Sequence, residues 1–172
     1  MKFLNPPSGY PSFYGQHQII SGGQTGVDRA ALDAALQSGT DCGGCCPEGR
    51  KAEDGVIPER YPLMELAGAN YTKRTRQNVI DSDATVIIYF STLSGGTEQT
   101  LRFCLNQKKP YLLIDASELS PDRTAERIQQ FVAGHSITTL NIAGPRASGE
   151  PLAYAYALQA MQRFLGALQN SA

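Results

Sequence analysis

The sequence predicts an α/β domain built on a mainly parallel sheet with helices on both faces. Short apolar, β-branched runs alternate with stretches of helical periodicity almost to the end of the chain, the grammar of strand–helix–strand units. The clearest runs, such as "ATVIIYF" (84–90) and "YLLIDA" (111–116), are apolar at successive positions, as strands buried on both faces are. Glycine-rich turns also recur directly after these runs, where a strand would hand over to a helix.

In order, "QHQII" (16–20) reads as the first strand and "SGGQTGVDRAALDAAL" (21–36) as a tight turn entering a helix. Val27, Ala31 and Ala35 fall at i, i+4 and i+8, and Gly39 stands where a C-cap glycine belongs. "DCGGCCPEGR" suggests the next strand and its exit loop, "ANYTKRTRQNVIDS" a helix, and "ATVIIYF" a buried strand. "STLSGGTEQTLRFCLNQ" repeats the opening pattern, with Leu101, Cys104 and Leu105 on one side of its helix. After "YLLIDA", the segment "SPDRTAERIQQFVAG" places Ser120 as N-cap, Pro121 in the first turn and Gly134 at the end of a helix. "SITTLNIAG" is the last strand. In the final helix Tyr154, Leu158, Met161, Leu165 and Leu168 follow i, i+4, i+7, i+11 and i+14. No second composition regime or internal linker interrupts the pattern, so one domain is expected over 16–170. The proline- and glycine-rich residues 1–15 form an irregular N-terminal arm ahead of it.

A chain of 172 residues suits one domain with a real core. A formal net charge of −1 gives no electrostatic case for nucleic-acid binding. No stretch approaches the roughly 18 apolar residues of a membrane span, and the start, with Lys2 alone and no long apolar run, does not resemble a signal peptide. A soluble cytoplasmic protein is expected. Cys42, Cys45, Cys46 and Cys104 include one C-x-x-C, which zinc or redox chemistry could use. The two histidines, His17 and His135, offer no matching spacing, and small side chains buried near a strand end are the simpler reading. No metal site is expected.

The chemistry is expected in the strand exits "SGGQTG" (21–26), "CPEGR" (46–50), "STLSGGT" (91–97) and "GPRAS" (144–148). In an open parallel sheet such carboxyl-end loops line the ligand crevice. The first N–H groups of a helix lack internal partners and glycines let an anion approach them. Thr25 and Thr97 add hydroxyls, while Arg50 and Arg146 can make bidentate contacts to phosphate or carboxylate. The shared bias favours a phosphorylated small molecule. Neither G-x-G-x-x-G nor a Walker A loop is present; in the near miss "GCCPEGRK" (44–51), Arg50 and Lys51 stand where Lys and Ser/Thr belong. "EDG" (53–55) and "DSD" (81–83) supply acids that fit general bases or sugar ligands, and equally caps and turns.

The stretches "SGGQTGVDRAALDAAL", "CPEGRKAEDGVIPERYPLMEL", "YTKRTRQNVIDSDATVII", "SGGT" and "LNIAGPRASGEPLAYAYA" span residues 18 to 165. They resemble the putative molybdenum carrier family, in the circularly permuted YpsA-like branch of the Rossmann-like SLOG superfamily, relatives of the lysine-decarboxylase-like "lonely guy" proteins. The resemblance implies a Rossmann-like three-layer sandwich and a pocket for the molybdenum cofactor or a nucleotide-like ligand, carried without turnover. It implies a first anion loop at Gly22, Gly23, Gln24, Thr25 and Gly26 and a second at Ser94, Gly95, Gly96 and Thr97. Gly144, Pro145, Arg146 and Ser148 would contribute a third, with Arg50 adding charge, and the assembly would be a homo-oligomer, dimer or tetramer. Lonely-guy enzymes, which cleave ribose from nucleoside monophosphates, carry G-G-x-G-T-x-x-E; here "SGGTEQT" lacks the inserted glycine and Glu98 is out of register. A phosphoribohydrolase using Glu48, Glu53, Asp54 or Glu98 is therefore the alternative, and a nucleotide-sensing module a third reading. Lysine decarboxylase is weakest, since no lysine sits in a motif that would position a pyridoxal Schiff base.

Overall fold

The computed structural model describes residues 17–170; the arm expected over 1–15 lies outside the described residues. In chain order the elements are β1 (Gln18–Ile20), α1 (Val27–Ser38), β2 (Asp41–Gly43), β3 (Cys45–Pro47), β4 (Lys51–Ala52), β5 (Gly55–Val56) and β6 (Met64–Leu66). They continue with α2 (Tyr71–Asp81), β7 (Ala84–Tyr89), α3 (Gly95–Asn106), β8 (Tyr111–Asp115), α4 (Pro121–Gly134), β9 (Thr139–Ala143) and α5 (Ala153–Asn170). Five strands form the central sheet in the order β2-β1-β9-β7-β8, and every pairing in it is parallel.

The pleat of β7 explains the layers. Val86 and Ile88 point into the core shared with α1, α4 and α5, whereas Ile87 points the other way, against Val79 of α2 and Cys104 of α3. Helices therefore cover both faces of a Rossmann-like sandwich. Their boundaries follow the local chemistry. Gly39 ends α1 in the left-handed conformation at φ 70°, and the Ser120 hydroxyl accepts the Arg123 N–H while Pro121 occupies the first turn of α4.

The segment after β1 and α1 departs from the single strand expected around "DCGGCCPEGR". At Gly44, φ is +124° and a Cβ would stand 2.2 Å from the Ser21 carbonyl oxygen. The backbone turns out of the sheet there, so β2 stays beside β1 while β3 pairs in parallel with β6. A short antiparallel hairpin, β4–β5, follows β3. This excursion packs beneath α1 through a second core of Leu32, Cys46, Ile57, Tyr61 and Leu63. Tyr61 and Tyr154 both donate to the Asp33 carboxylate, at 2.8 and 2.7 Å, and so tie the excursion, α1 and α5 together.

Candidate functional site

A hollow of about 640 Å3 opens at the carboxyl ends of β1, β9 and β7, neighbours in the sheet. Of the residues expected to bind an anion, Gln24, Ser94, Gly95, Gly96, Thr97, Gly144, Pro145 and Arg146 line it. Three loops far apart in sequence thus meet where the crevice of an open parallel sheet lies.

The loops contribute differently. Ser94 begins α3 without a side-chain cap, and a Cβ built on Gly95 or Gly96 would meet nothing within 4 Å. The amino end of α3, the positive end of a 12-residue helix, therefore lines the hollow with no side-chain cap on its first N–H groups. In the first loop the glycines serve the protein's own packing. A Cβ on Gly22 would lie 2.0 Å from Nη1 of Arg74, and one on Gly23 would lie 2.4 Å from Leu63 Cδ1. Gly26, at φ +81°, presses against the Pro145 carbonyl oxygen, which accepts the Val27 N–H. The donors of this loop already have an anion. The buried Asp28 carboxylate accepts the Gln24 N–H at 3.3 Å, and the Gln24 side-chain oxygen accepts the N–H groups of Thr25 and Glu53.

Gly22, Gly23, Thr25, Gly26, Arg50 and Ser148 do not line the hollow. Thr25 and Ser148 both donate their hydroxyls to Glu53, and the Thr25 oxygen also accepts the Ala147 N–H at 3.1 Å. Arg50 corrects a sequence expectation most plainly. Its guanidinium donates to the carbonyls of Ile57, Pro58, Tyr61 and Leu63 at 2.9–3.1 Å. It fastens the excursion and is spent there, because an exit loop shows that an arginine is present but not which way it turns. The "EDG" acids are fasteners too. Glu53 joins the hairpin to the first and third loops, and Asp54 pairs with Arg29 of α1. Hydroxyl donation by Ser148 and Thr25 holds the Glu53 carboxyl below its ordinary range, and the Arg29 guanidinium does the same for Asp54. Asp83 of "DSD" accepts from Thr138 and Thr139 and fixes the start of β9, away from the hollow.

The four cysteines are free thiols, and burial pushes each upward in pKa. Among the described residues no three His, Cys, Asp or Glu side chains gather as a metal site would require. No described helix is long and apolar enough to cross a membrane.

With the geometry in place, the comparisons bear on kinship. The family model for circularly permutated YpsA SLOG proteins matches residues 19–165. The chain belongs to the circularly permutated YpsA SLOG family. A solved structure, the putative molybdenum carrier protein from Syntrophus aciditrophicus SB, is 45% identical to it. That alignment covers 88% of this chain and 96% of the other, with a TM-score of 0.85. Comparison with curated proteins finds no match.

In this SLOG chain the sequence reading has α2 as a helix but not as a wall of the hollow. Arg74 lines the hollow with only 11% of its side chain exposed, lies over Gly22, and pairs with Asp28 at 3.2 Å. Its Nε is buried without a hydrogen-bond partner. Burial raises the pKa of Asp28, opposed by the Arg74 charge and the Gln24 N–H. "TKRTRQ" offers Lys73, Arg74 and Arg76, and only the space left by Gly22 selects the one that turns inward. Thr72, Thr75, Gln99 and Thr100 complete a polar wall from α2 and α3.

Proposed function

We propose that this protein binds and carries a phosphorylated small molecule, with the molybdenum cofactor or a nucleotide-like ligand as its cargo. The carrying observation is the uncapped amino end of α3, with Gly95 and Gly96 open above it and Arg74 and Arg146 beside it. N–H groups at a helix start and guanidinium donors together suit a phosphate dianion. The name of the Syntrophus protein supports the choice of cargo. The donor set among the described residues suits the phosphate of such a cofactor, and a metal carried by it would be held by the cargo's own atoms.

A carrier rather than a hydrolase is supported by where the acids lie. Hydrolysis of an N-glycosidic bond needs a positioned carboxylate or water and stabilisation of a cationic sugar. Glu53 and Asp54 are engaged in fastening the hairpin, Glu98 pairs with Arg102 at 2.7 Å, and neither these three nor Glu48 lines the hollow. Of the carboxylates that do, Asp28 is buried against Arg74 and the Gln24 N–H, and Glu150 accepts the Leu152 N–H. Donors aimed at a phosphate hold substrate and transition state alike, which accelerates nothing.

Native mass spectrometry of the purified protein, followed by release and identification of the bound species, tests this. The expected result is a phosphate-bearing heterocycle at a stoichiometry that falls in Arg74→Ala and Arg146→Ala. A protein that neither retains such a species nor binds one on reconstitution would refute the reading. Incubation with adenosine or guanosine monophosphate is expected to release no base above background. Base release that Glu48→Gln, Glu53→Gln, Asp54→Asn or Glu98→Gln abolishes would replace the carrier with a hydrolase.

A further inference from the structure

A second hollow, of about 500 Å3, lies at the same end of the molecule. Phe90 and Glu150 line both hollows, so the two adjoin at the turn that follows β7. Their chemistry is opposite. The first is lined by Arg74, Arg146 and the amino end of α3, whereas no lysine or arginine lines the second. Its wall is mostly apolar: Leu152, 65% exposed, lines it together with the Phe90–Tyr156 pair, whose rings meet edge-on with centroids 5.6 Å apart.

This wall is fixed in advance. The Tyr156 hydroxyl donates to the Leu119 carbonyl at 2.8 Å and lies 2.6 Å from the Thr124 hydroxyl. Asp115 accepts the Ser91 N–H at 3.0 Å and so holds the turn that carries Phe90. At the divide, one oxygen of Glu150 accepts the Leu152 N–H at 3.1 Å, and the other accepts no hydrogen bond from the described residues. A single loop between β9 and α5 supplies Arg146 to the first hollow, Glu150 to the boundary and Leu152 to the second.

We propose that the second hollow is the ring subsite of the same cargo. It takes a flat, uncharged heterocycle bearing at least one N–H donor, while the phosphate lies in the first hollow. The inference rests on the phosphate-binding reading and adds to it the part of the ligand that phosphate loops cannot report. An apolar wall with an aromatic corner suits a ring face. A carboxylate with one free oxygen at its edge favours a ring N–H or amino group through a charge-assisted hydrogen bond, and repels a second phosphate.

Titration calorimetry with ribose 5-phosphate and guanosine 5′-monophosphate separates the two claims, since only the second probe carries a ring with adjacent N–H donors. The nucleotide is expected to bind at least about tenfold more tightly, the lower end for a hydrogen bond to a charged group. Leu152→Ser should remove most of that advantage and leave ribose 5-phosphate affinity unchanged, and Glu150→Gln, at the boundary of both hollows, should narrow the gap between the two probes. Equal affinity for the two probes, or an equal loss of both in the variants, would overturn the ring subsite while leaving the phosphate reading intact. If neither probe nor inorganic phosphate binds, the phosphate reading fails and the subsite with it.

Discussion

Glu53 shows how a single carboxylate can set the shape of a site it does not enter. It receives the hydroxyls of Thr25 and Ser148 and the Ser148 N–H at 3.1 Å, with Arg146 Nε 3.7 Å away. Because these donors depress its folded-state pKa below the unfolded value of about 4.5, its stabilisation is present above that pH. It is lost as pH falls through the folded value. Glu53→Gln is therefore expected to cost about 1–2 kcal/mol near neutral pH, less than the full strength of charged hydrogen bonds because the group is partly exposed. The deficit should close as urea denaturation is repeated below pH 4.5, and a deficit independent of pH would contradict the assignment. Arg146 is the converse case. More than half exposed and held by one long ion pair, it should add almost nothing to stability. Arg146→Ala is expected to leave the melting temperature in place and to weaken phosphate-ligand binding by about 1.5–3 kcal/mol. Unchanged affinity in calorimetry would return Arg146 to the solvated surface.

Among the elements, α2 depends most on its neighbours. Its sequence is polar and its buried residues are Asn78 and Val79, so propensity does not dock it. Asn78 does: its side chain accepts the Cys45 N–H at 2.7 Å and donates to the Cys45 carbonyl at 3.0 Å. Asn78→Ala would leave both buried backbone groups unpaired and is expected to cost about 2–4 kcal/mol. Since Arg74 lies one turn earlier, ligand affinity should fall with it; an unchanged urea midpoint would refute the bracket. The same elements show what the sequence makes legible. Periodicity and caps were enough for α1, α4 and the long strand β7, because Gly39, Ser120 and the unbroken "ATVIIY" run each have a local cause. The strands β3 to β6 hold two or three residues each, too few to display a period. Which glycines of the loops are packed and which stand open was equally hidden. Gly22 and Gly96 read alike, yet one is filled by Arg74 and the other faces open space.

At the scale of the whole molecule, a ligand bound across three loops should stabilise all of them together. At a free concentration near one hundred times Kd, binding to the native state alone adds about 2.7 kcal/mol. A saturating phosphate-bearing cargo should accordingly raise the unfolding temperature of the wild type and much less that of Arg74→Ala. Equal shifts would place the anion elsewhere. The strand order has a different kind of consequence. Among the described residues the first strand, β1, reaches the half of the sheet that holds β7 and β8 only through β9, the last. On the ribosome, then, a growing polypeptide that has made everything up to α4 still has a sheet in two pieces. The third loop, Gly144 to Ser148, does not yet exist. Nascent chains arrested before Thr139 should be digested readily by added protease, and chains carrying α5 clear of the exit tunnel should resist. Uptake of any cargo must wait until β9 and the loop that follows it have emerged and closed the sheet.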